Sequence, residues 1–236
     1  MRNAGKSDPF GADGCDSRVS LFDDLAVSGI GLVFEQQAWA DGFKLVAGLD
    51  EVGRGCIAGP VVAAACILDP SKPLPEGLND SKKVTESNRD EIAAQLKQTC
   101  IAYTIGQIEA DEIDRINILE ATKQAMLNAI ATLSPSPDFL LIDALYLKRS
   151  PLPQKSIIKG DSISASVAAA SILAKTYRDD LMKAYDAEFP QYGFAAHKGY
   201  GCASHYDAIR EHGPCPLHRM SFKGVVEQSV DPTGLF

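Results

Sequence analysis

The chain has 236 residues, of which 45% are hydrophobic, and a formal charge of −8; that is enough for one large domain, with or without an appendage, around a sizeable core. The acidic balance excludes indiscriminate attachment to nucleic acid through a uniformly basic surface. It hides an asymmetry: residues 1–146 hold 12 Lys and Arg against 22 Asp and Glu, while residues 147–236 hold 11 against 9.

Six cysteines, at positions 15, 56, 66, 100, 202 and 215, stand in unlike surroundings without a framework spacing, which points to reduced thiols in a cytosol. The first twenty residues lack a continuous apolar stretch behind their early charges, so they do not read as a secretory signal. The longest apolar run, Cys56 to Leu68, is interrupted by Gly59 and Pro60 and is too short to span a bilayer. A cytoplasmic protein without membrane contact is the expectation.

Residues 1–33 read as a flexible N-terminal extension, rich in Gly, Asp and Ser near its start. From Phe34 to Gly42 a short helix carries the single tryptophan, Trp39, and "FKLVAGLD" follows as a strand. "PVVAAACIL" is a second strand, closed by the turn "DPSKP". The connection between these two strands is too short for a crossover, so they are predicted to pair antiparallel. Thr85 opens a helix in which Ile92, Leu96 and Cys100 recur at helical spacing; "IAYTIGQIEA" alternates as a strand, and Asp111 to Leu133 reads as one amphipathic helix. "DFLLIDAL" and "KSIIKGD" are two further short strands, Ser162 onward is a long helix rich in small residues, and one helix is expected near Ser204–Glu211. Strands alternating with helices predict an α/β domain over residues 34–196, with a mixed five-stranded central sheet flanked by helices and a small C-terminal helical region over 197–236.

Four acids stand where an apolar element stops: Asp50 and Glu51 after "LVAGL", Asp143 after "FLLI", and Asp161 after "IIKG". Ligands gather at strand ends in α/β sheets, so these acids are candidates to converge. Singly each has a plain reading, Asp161 as the N-cap of the long helix and Asp143 as a strand terminus. Adjacent residues of a strand point to opposite faces, so Asp50 and Glu51 share a site only if the strand bends out of pleat, as the glycines after it allow. Four clustered carboxylates repel one another unless cations sit among them. Two Mg²⁺ ions balance that charge, and such a pair suits displacement at a phosphodiester.

"GRGCIAG" has the spacing G-x-G-x-x-x-G and runs into a strand, which departs from the dinucleotide fingerprint, and it lacks the Lys-Ser/Thr of a Walker loop. Its remaining use is an exposed backbone whose N–H groups approach a sugar or phosphate, with Arg54 as a charged donor.

"AGLDEVGRGCIAGPVVAAACIL", "LNDSKKV", "LLIDAL", "IIKGDSISASVAAASILAKTYRD" and "HKGYGCASHYDAIREHGPCPLHRMSF" together resemble, in order and separation, the motifs of bacterial ribonuclease HII over about residues 34–223. The resemblance implies a ribonuclease H-like fold and Mg²⁺- or Mn²⁺-dependent cutting of RNA within hybrids or mostly DNA duplexes. By position it assigns the metal-binding catalytic acids to Asp50, Glu51, Asp143 and Asp161. It assigns recognition of the ribonucleotide 2′-hydroxyl to Gly53, Arg54 and Gly55, and sensing of the following deoxyribose to Tyr200. Lys82, Lys83, Lys175, Arg178 and Lys198 are candidate phosphate contacts; Arg219 is left without a role. A monomer acting on RNA–DNA hybrids and ribonucleotide-bearing DNA is the expectation.

Four further readings accompany it. Cys202, His205, Cys215 and His218 form C-x₂-H…C-x₂-H, a zinc-like spacing, but the family usually has threonine at the first position and works without this set. Another ribonuclease H-like nuclease, a resolvase or exonuclease, would use a similar acid cluster without the ribose-reading loop, and a catalytically silent binding module would keep the fold alone. The ending "EQSVDPTGLF" combines a glutamine with Leu235 and Phe236 as in a replication-clamp peptide, against the plainer reading of a disordered tail.

Overall fold

The structure is a computed structural model that describes residues 30–226. Helix α1 (Val33–Ala40) leads into strand β1 (Val46–Val52), which pairs antiparallel with β2 (Val61–Ile67) in a register running from Ala47↔Ile67 to Val52↔Val62. Helix α2 (Glu86–Thr99), capped by the Thr85 hydroxyl accepting from Asn88 N–H, precedes β3 (Ala102–Ile108). Two helices follow, α3 (Ala110–Ile116) and α4 (Ile118–Thr132), then β4 (Phe139–Asp143) and β5 (Gln154–Ile157). Helix α5 (Ala165–Glu188) is the longest, and α6 (Phe194–His197) and α7 (Ala203–His212) complete the chain. The sheet is mixed and five-stranded, as the sequence predicts, and its strand order is β3-β2-β1-β4-β5.

The central strands are built for two-sided packing. All seven residues of β2 are buried; Val62, Ala64 and Cys66 face α2 and α5, while Ala63, Ala65 and Ile67 face α4. Small side chains here let the helices lie close. Gly48 of β1 is the extreme case, because a Cβ there would lie 2.1 Å from the Ser166 backbone of α5. That approach brings the N-terminal end of α5 against the strand that carries Asp50.

Two local expectations are corrected. The helix predicted over Asp111–Leu133 is broken at Asn117, whose φ is +70° and whose carboxamide oxygen accepts from Leu119 and Glu120 N–H; the side chain caps the second helix from a backbone region that residues other than glycine rarely adopt. Asp161 does not cap α5. It sits in a single 3₁₀ turn, Gly160–Ser162, and the cap is Ser164, whose hydroxyl accepts from Val167 N–H. The folded body also begins ahead of residue 34, since Gly31 donates to Ile163 O and accepts from Ala165 N–H. The C-terminal peptide with Leu235 and Phe236 lies outside the described residues. Among the described residues, no helix is long and apolar enough to cross a membrane.

Candidate active site

The sheet opens a cleft where β4 leaves β1. Their parallel pairing ends at Leu49↔Ile142, so Asp50 to Val52 have no neighbour on that side, although β1 stays paired with β2 through Val52. Asp143, one residue past the last pair, turns to β5 opposite Ile157, and its Oδ1 accepts from Gly160 N–H at 2.7 Å. That bond draws the Asp161 turn beside it. Asp50 and Glu51 thus stand at the end of the sheet where one neighbour of β1 has departed. Ala144 and Lys159, with φ of +47° and +58°, flank Asp143 and Asp161 in a backbone region that ordinary residues avoid.

Electrostatics join the four acids. Burial, then the charges of Glu51 and Asp143, hold the Asp50 carboxyl well above the usual carboxylate range, against a lowering hydrogen bond from Ser171. Burial also raises Glu51, which Arg54 pulls down and Asp143 pushes up. Asp143 is raised by burial and by Asp161, while the Gly160 N–H lowers it. Two cations answer them: Arg54 donates to Glu51 Oε1 at 2.9 Å and Lys82 to Asp161 Oδ2 at 3.3 Å. Burial pulls the Lys82 ammonium down, but Asp161, Asp80 and Asp50 together hold it above its ordinary value. Four carboxylates thus face two cations.

The residues fit a divalent ion in one specific respect. Glu51 Oε2 is buried and has no hydrogen-bond partner, an arrangement that leaves an anionic oxygen uncompensated. Among the described residues no three His, Cys, Asp or Glu side chains form a ready cage; hard dications such as Mg²⁺ are commonly held by one or two carboxylates, with water and substrate phosphate completing the shell.

The residues predicted to read the ribose and the sugar after it meet as well. Cys56 and Tyr200 form an antiparallel bridge, and Ile57 N–H donates to Gly199 O at 2.9 Å, so the loop Gly53–Gly59 lies against the turn Lys198–Tyr200. Tyr200 is 46% exposed, and a Cβ on Gly55 would meet nothing within 4 Å, so both face open space. Gly53, with φ of +91°, does not; its missing side chain makes room for Arg178.

The predicted phosphate contacts divide. Lys82 stands at the acid cleft, and Lys83 is exposed beside Asp80. Lys175 is tied to Asp179, which Arg89 also grips, and Lys198 directs its ammonium to Ala195 O. Arg178 is a correction: it is fully buried and donates to Pro60, Ala58 and Lys198 carbonyls, so it cannot touch a phosphate from solvent. The zinc-like set does not close. His205 and His218 meet through Nε2 at 3.1 Å, but His205 Nδ1 donates to Tyr200 O, His218 Nδ1 accepts from Cys215 N–H, and the Cys202 thiol lies against Ser204.

Several supporting residues escape a sequence reading. Ser171 lies against Asp50, whose carboxyl it holds down, and its hydroxyl pairs with Ser81 Oγ at 2.9 Å, fixing the loop that carries Lys82; its signal is one of several polar residues set among the small apolar ones of α5. Glu35 accepts from Ser164 Oγ, Ser166 Oγ and Ser166 N–H and so anchors the start of α5. Nothing local announces that contact, because its partners lie some 130 residues away.

A family model described as Ribonuclease HII matches residues 47–225. The protein named Ribonuclease HII from Chlamydia caviae is 56% identical over 191 residues, 80% of this chain and 89% of its own. That from Desulfitobacterium hafniense is 55% identical over 194 residues, 82% of this chain and 74% of its own. The structure of the PCNA:RNase HII complex from Archaeoglobus fulgidus superposes with a TM-score of 0.66 at 24% identity, over 79% of this chain and 98% of that one, which shows the shared ribonuclease H-like fold. The chain belongs to the ribonuclease HII family, metal-dependent endonucleases of the ribonuclease H type.

Proposed function

We propose that this chain hydrolyses the RNA strand of RNA–DNA hybrids and cuts on the 5′ side of ribonucleotides embedded in duplex DNA, leaving 5′-phosphate and 3′-hydroxyl ends. The observation that carries the reading is the meeting of Asp143 and Asp161 with Asp50 and Glu51 in one cleft that holds an unpartnered carboxylate oxygen. Asp50, Glu51, Asp143 and Asp161 would hold two Mg²⁺ or Mn²⁺ ions, which when bound supply an activated water and charge stabilisation at the phosphorus. The protein's own part is placement. Gly160 N–H orients Asp143 and Ser171 orients Asp50, and Arg54 holds one Glu51 oxygen while the other stays without a partner.

Recognition rests on the neighbouring loop. The backbone of Gly53, Arg54 and Gly55 reads the 2′-hydroxyl, the group that separates RNA from DNA, and the exposed Tyr200 ring packs on the sugar that follows. Lys82 and Lys83 meet the phosphate backbone. The protein works as a cytoplasmic monomer. The test compares a duplex containing one ribonucleotide with an all-DNA duplex, in Mg²⁺ and in Mn²⁺, using wild type and Asp143→Asn. Metal-dependent cutting confined to the ribonucleotide and lost in the folded variant is expected. Equal cutting of both duplexes would favour a nuclease without ribose specificity, and no cutting a silent binding module.

A clamp contact is a second reading, supported by the archaeal relative solved with PCNA and by the terminal Leu235 and Phe236. Binding to a purified clamp, lost when these two residues are deleted, is the outcome it requires.

A further inference from the structure

Two arginines are fully buried behind the recognition loop: Arg178 on α5 and Arg219 after α7. Among the described residues neither has a carboxylate within ion-pair distance. Every hydrogen bond either makes goes to a main-chain carbonyl of the recognition apparatus or its immediate support. Arg178 donates through Nε to Pro60 O at 2.9 Å, through Nη2 to Ala58 O at 3.0 Å and through Nη1 to Lys198 O at 2.8 Å. Arg219 donates to Gly59 O through Nε at 3.0 Å and Nη2 at 2.8 Å, and to Arg54 O through Nη1 at 3.2 Å, with its guanidinium 5.0 Å over the Phe222 ring.

The glycines follow from this arrangement. A Cβ on Gly53 would lie 2.4 Å from Arg178 Nε, one on Gly59 3.3 Å from Arg178 Nη2 and 2.5 Å from Met182 Sδ, and one on Gly199 2.4 Å from Ala58 O. The loop is therefore wrapped around a guanidinium on its inner side, and Gly55 lies on its open side. A planar fork with five donors can satisfy carbonyls from two separate chain segments at once and in a fixed geometry. Buried cations without counter-charges are costly. Hydrophobic side chains of similar volume would fill this space, but none would fix the carbonyls of residues 54, 58, 59, 60 and 198 in one arrangement.

We propose that Arg178 and Arg219 are positioning residues, Arg178 locking the Gly53–Gly59 loop to the Lys198–Tyr200 turn and Arg219 fixing the shape of the loop itself, and that discrimination of a single embedded ribonucleotide depends on that arrangement. The inference rests on the proposed roles of the loop and Tyr200. A junction requires both elements to read adjacent sugars in the correct spacing. A continuous RNA strand offers a 2′-hydroxyl at every step, so it tolerates a displaced Tyr200 better.

The experiment measures kcat and KM for wild type, Arg178→Lys and Arg219→Lys on a DNA duplex with one ribonucleotide and on a continuous RNA–DNA hybrid, with circular dichroism to establish folding. Lysine keeps the charge but supplies one nitrogen in place of a fork. The expected result is that the ratio of kcat/KM on the single-ribonucleotide duplex to that on the hybrid falls about tenfold in Arg178→Lys, with a smaller fall in Arg219→Lys, which leaves the contact to Lys198 intact. Equal proportional loss on both substrates in a folded variant overturns the proposal, as does failure of both variants to fold, since the residues would then serve the fold alone. Wild type that does not cut at the single ribonucleotide refutes the proposed function instead, so the two failures are told apart.

Discussion

Replacing Asp50 by Asn is expected to stabilise the metal-free protein while removing its activity. Asp50 is 5% exposed, faces the charges of Glu51 and Asp143, and accepts one backbone hydrogen bond, from Glu51 N–H. The carboxamide keeps an acceptor for that N–H and loses the repulsion. One like-charge neighbour at an effective dielectric near 20 is worth on the order of 1–3 kcal/mol. A gain of about 2 kcal/mol corresponds to roughly 4–8 °C in Tm for a chain of this size. The sign also fixes the pH dependence. A carboxyl whose folded pKa lies above its unfolded value stabilises at low pH, and that contribution is lost as pH rises through the folded pKa. The advantage of the variant is therefore absent below about pH 4, grows as pH rises, and is complete once the folded Asp50 ionises. Thermal melts in chelator across this range check it, with Mn²⁺ added in a parallel series that should raise the Tm of wild type and leave the variant nearly unmoved. A variant that melts at or below wild type in chelator near pH 7 would refute the reasoning that the cleft stores repulsion for a dication to relieve.

Gly53→Ala combines a positive φ, about 1–2 kcal/mol for a residue with a Cβ, with a contact 2.4 Å from Arg178 Nε; a urea midpoint lowered by at least that amount is expected, together with weakened cutting at single ribonucleotides. Glu35→Ala removes the acceptor of three hydrogen bonds from Ser164 and Ser166, at a cost of roughly 1–3 kcal/mol, and weaker Mn²⁺ binding by calorimetry should accompany the lower Tm because the Asp161 turn loses its anchor. Burial holds His205 and His218 down to about 4, so they stay neutral in the fold where an unfolded chain would bind protons. Stability present above about pH 6.5 should decline as pH falls toward 4, and substitution of His218 by Gln should flatten that decline in acid titrations followed by circular dichroism.

Much of the architecture could be read in advance because its determinants are local. The β1–β2 pair follows from a connection too short to cross over, and α2 from Thr85 and its periodic Ile92 and Leu96. The four acids were legible as strand ends, yet the geometry that unites Asp50 with Asp143 depends on where β4 stops pairing with β1, a register no single segment encodes. Asp161 was misplaced as a helix cap because Ser164 outcompetes it with help from Glu35, which arrives from the other end of the described chain. Arg178 was misread from residue type alone. Its neighbours one turn either way, Ala174 and Met182, are both fully buried, so helical spacing placed it inside while its charge argued for the surface.

Helix α5 has a larger consequence than its length implies. Its 24 residues span about 36 Å, and along that single rod stand the turn bearing Asp161, the Ser171 that steadies Asp50, and the Arg178 around which the glycine loop folds. The groups proposed to cut and those proposed to read are thereby geared to one shaft. Amide protons along its buried stretch should be among the last to exchange with solvent, and lineages that retune which sugar is read must do so by altering what hangs from the shaft, because shifting the shaft itself would misalign the cutting edge.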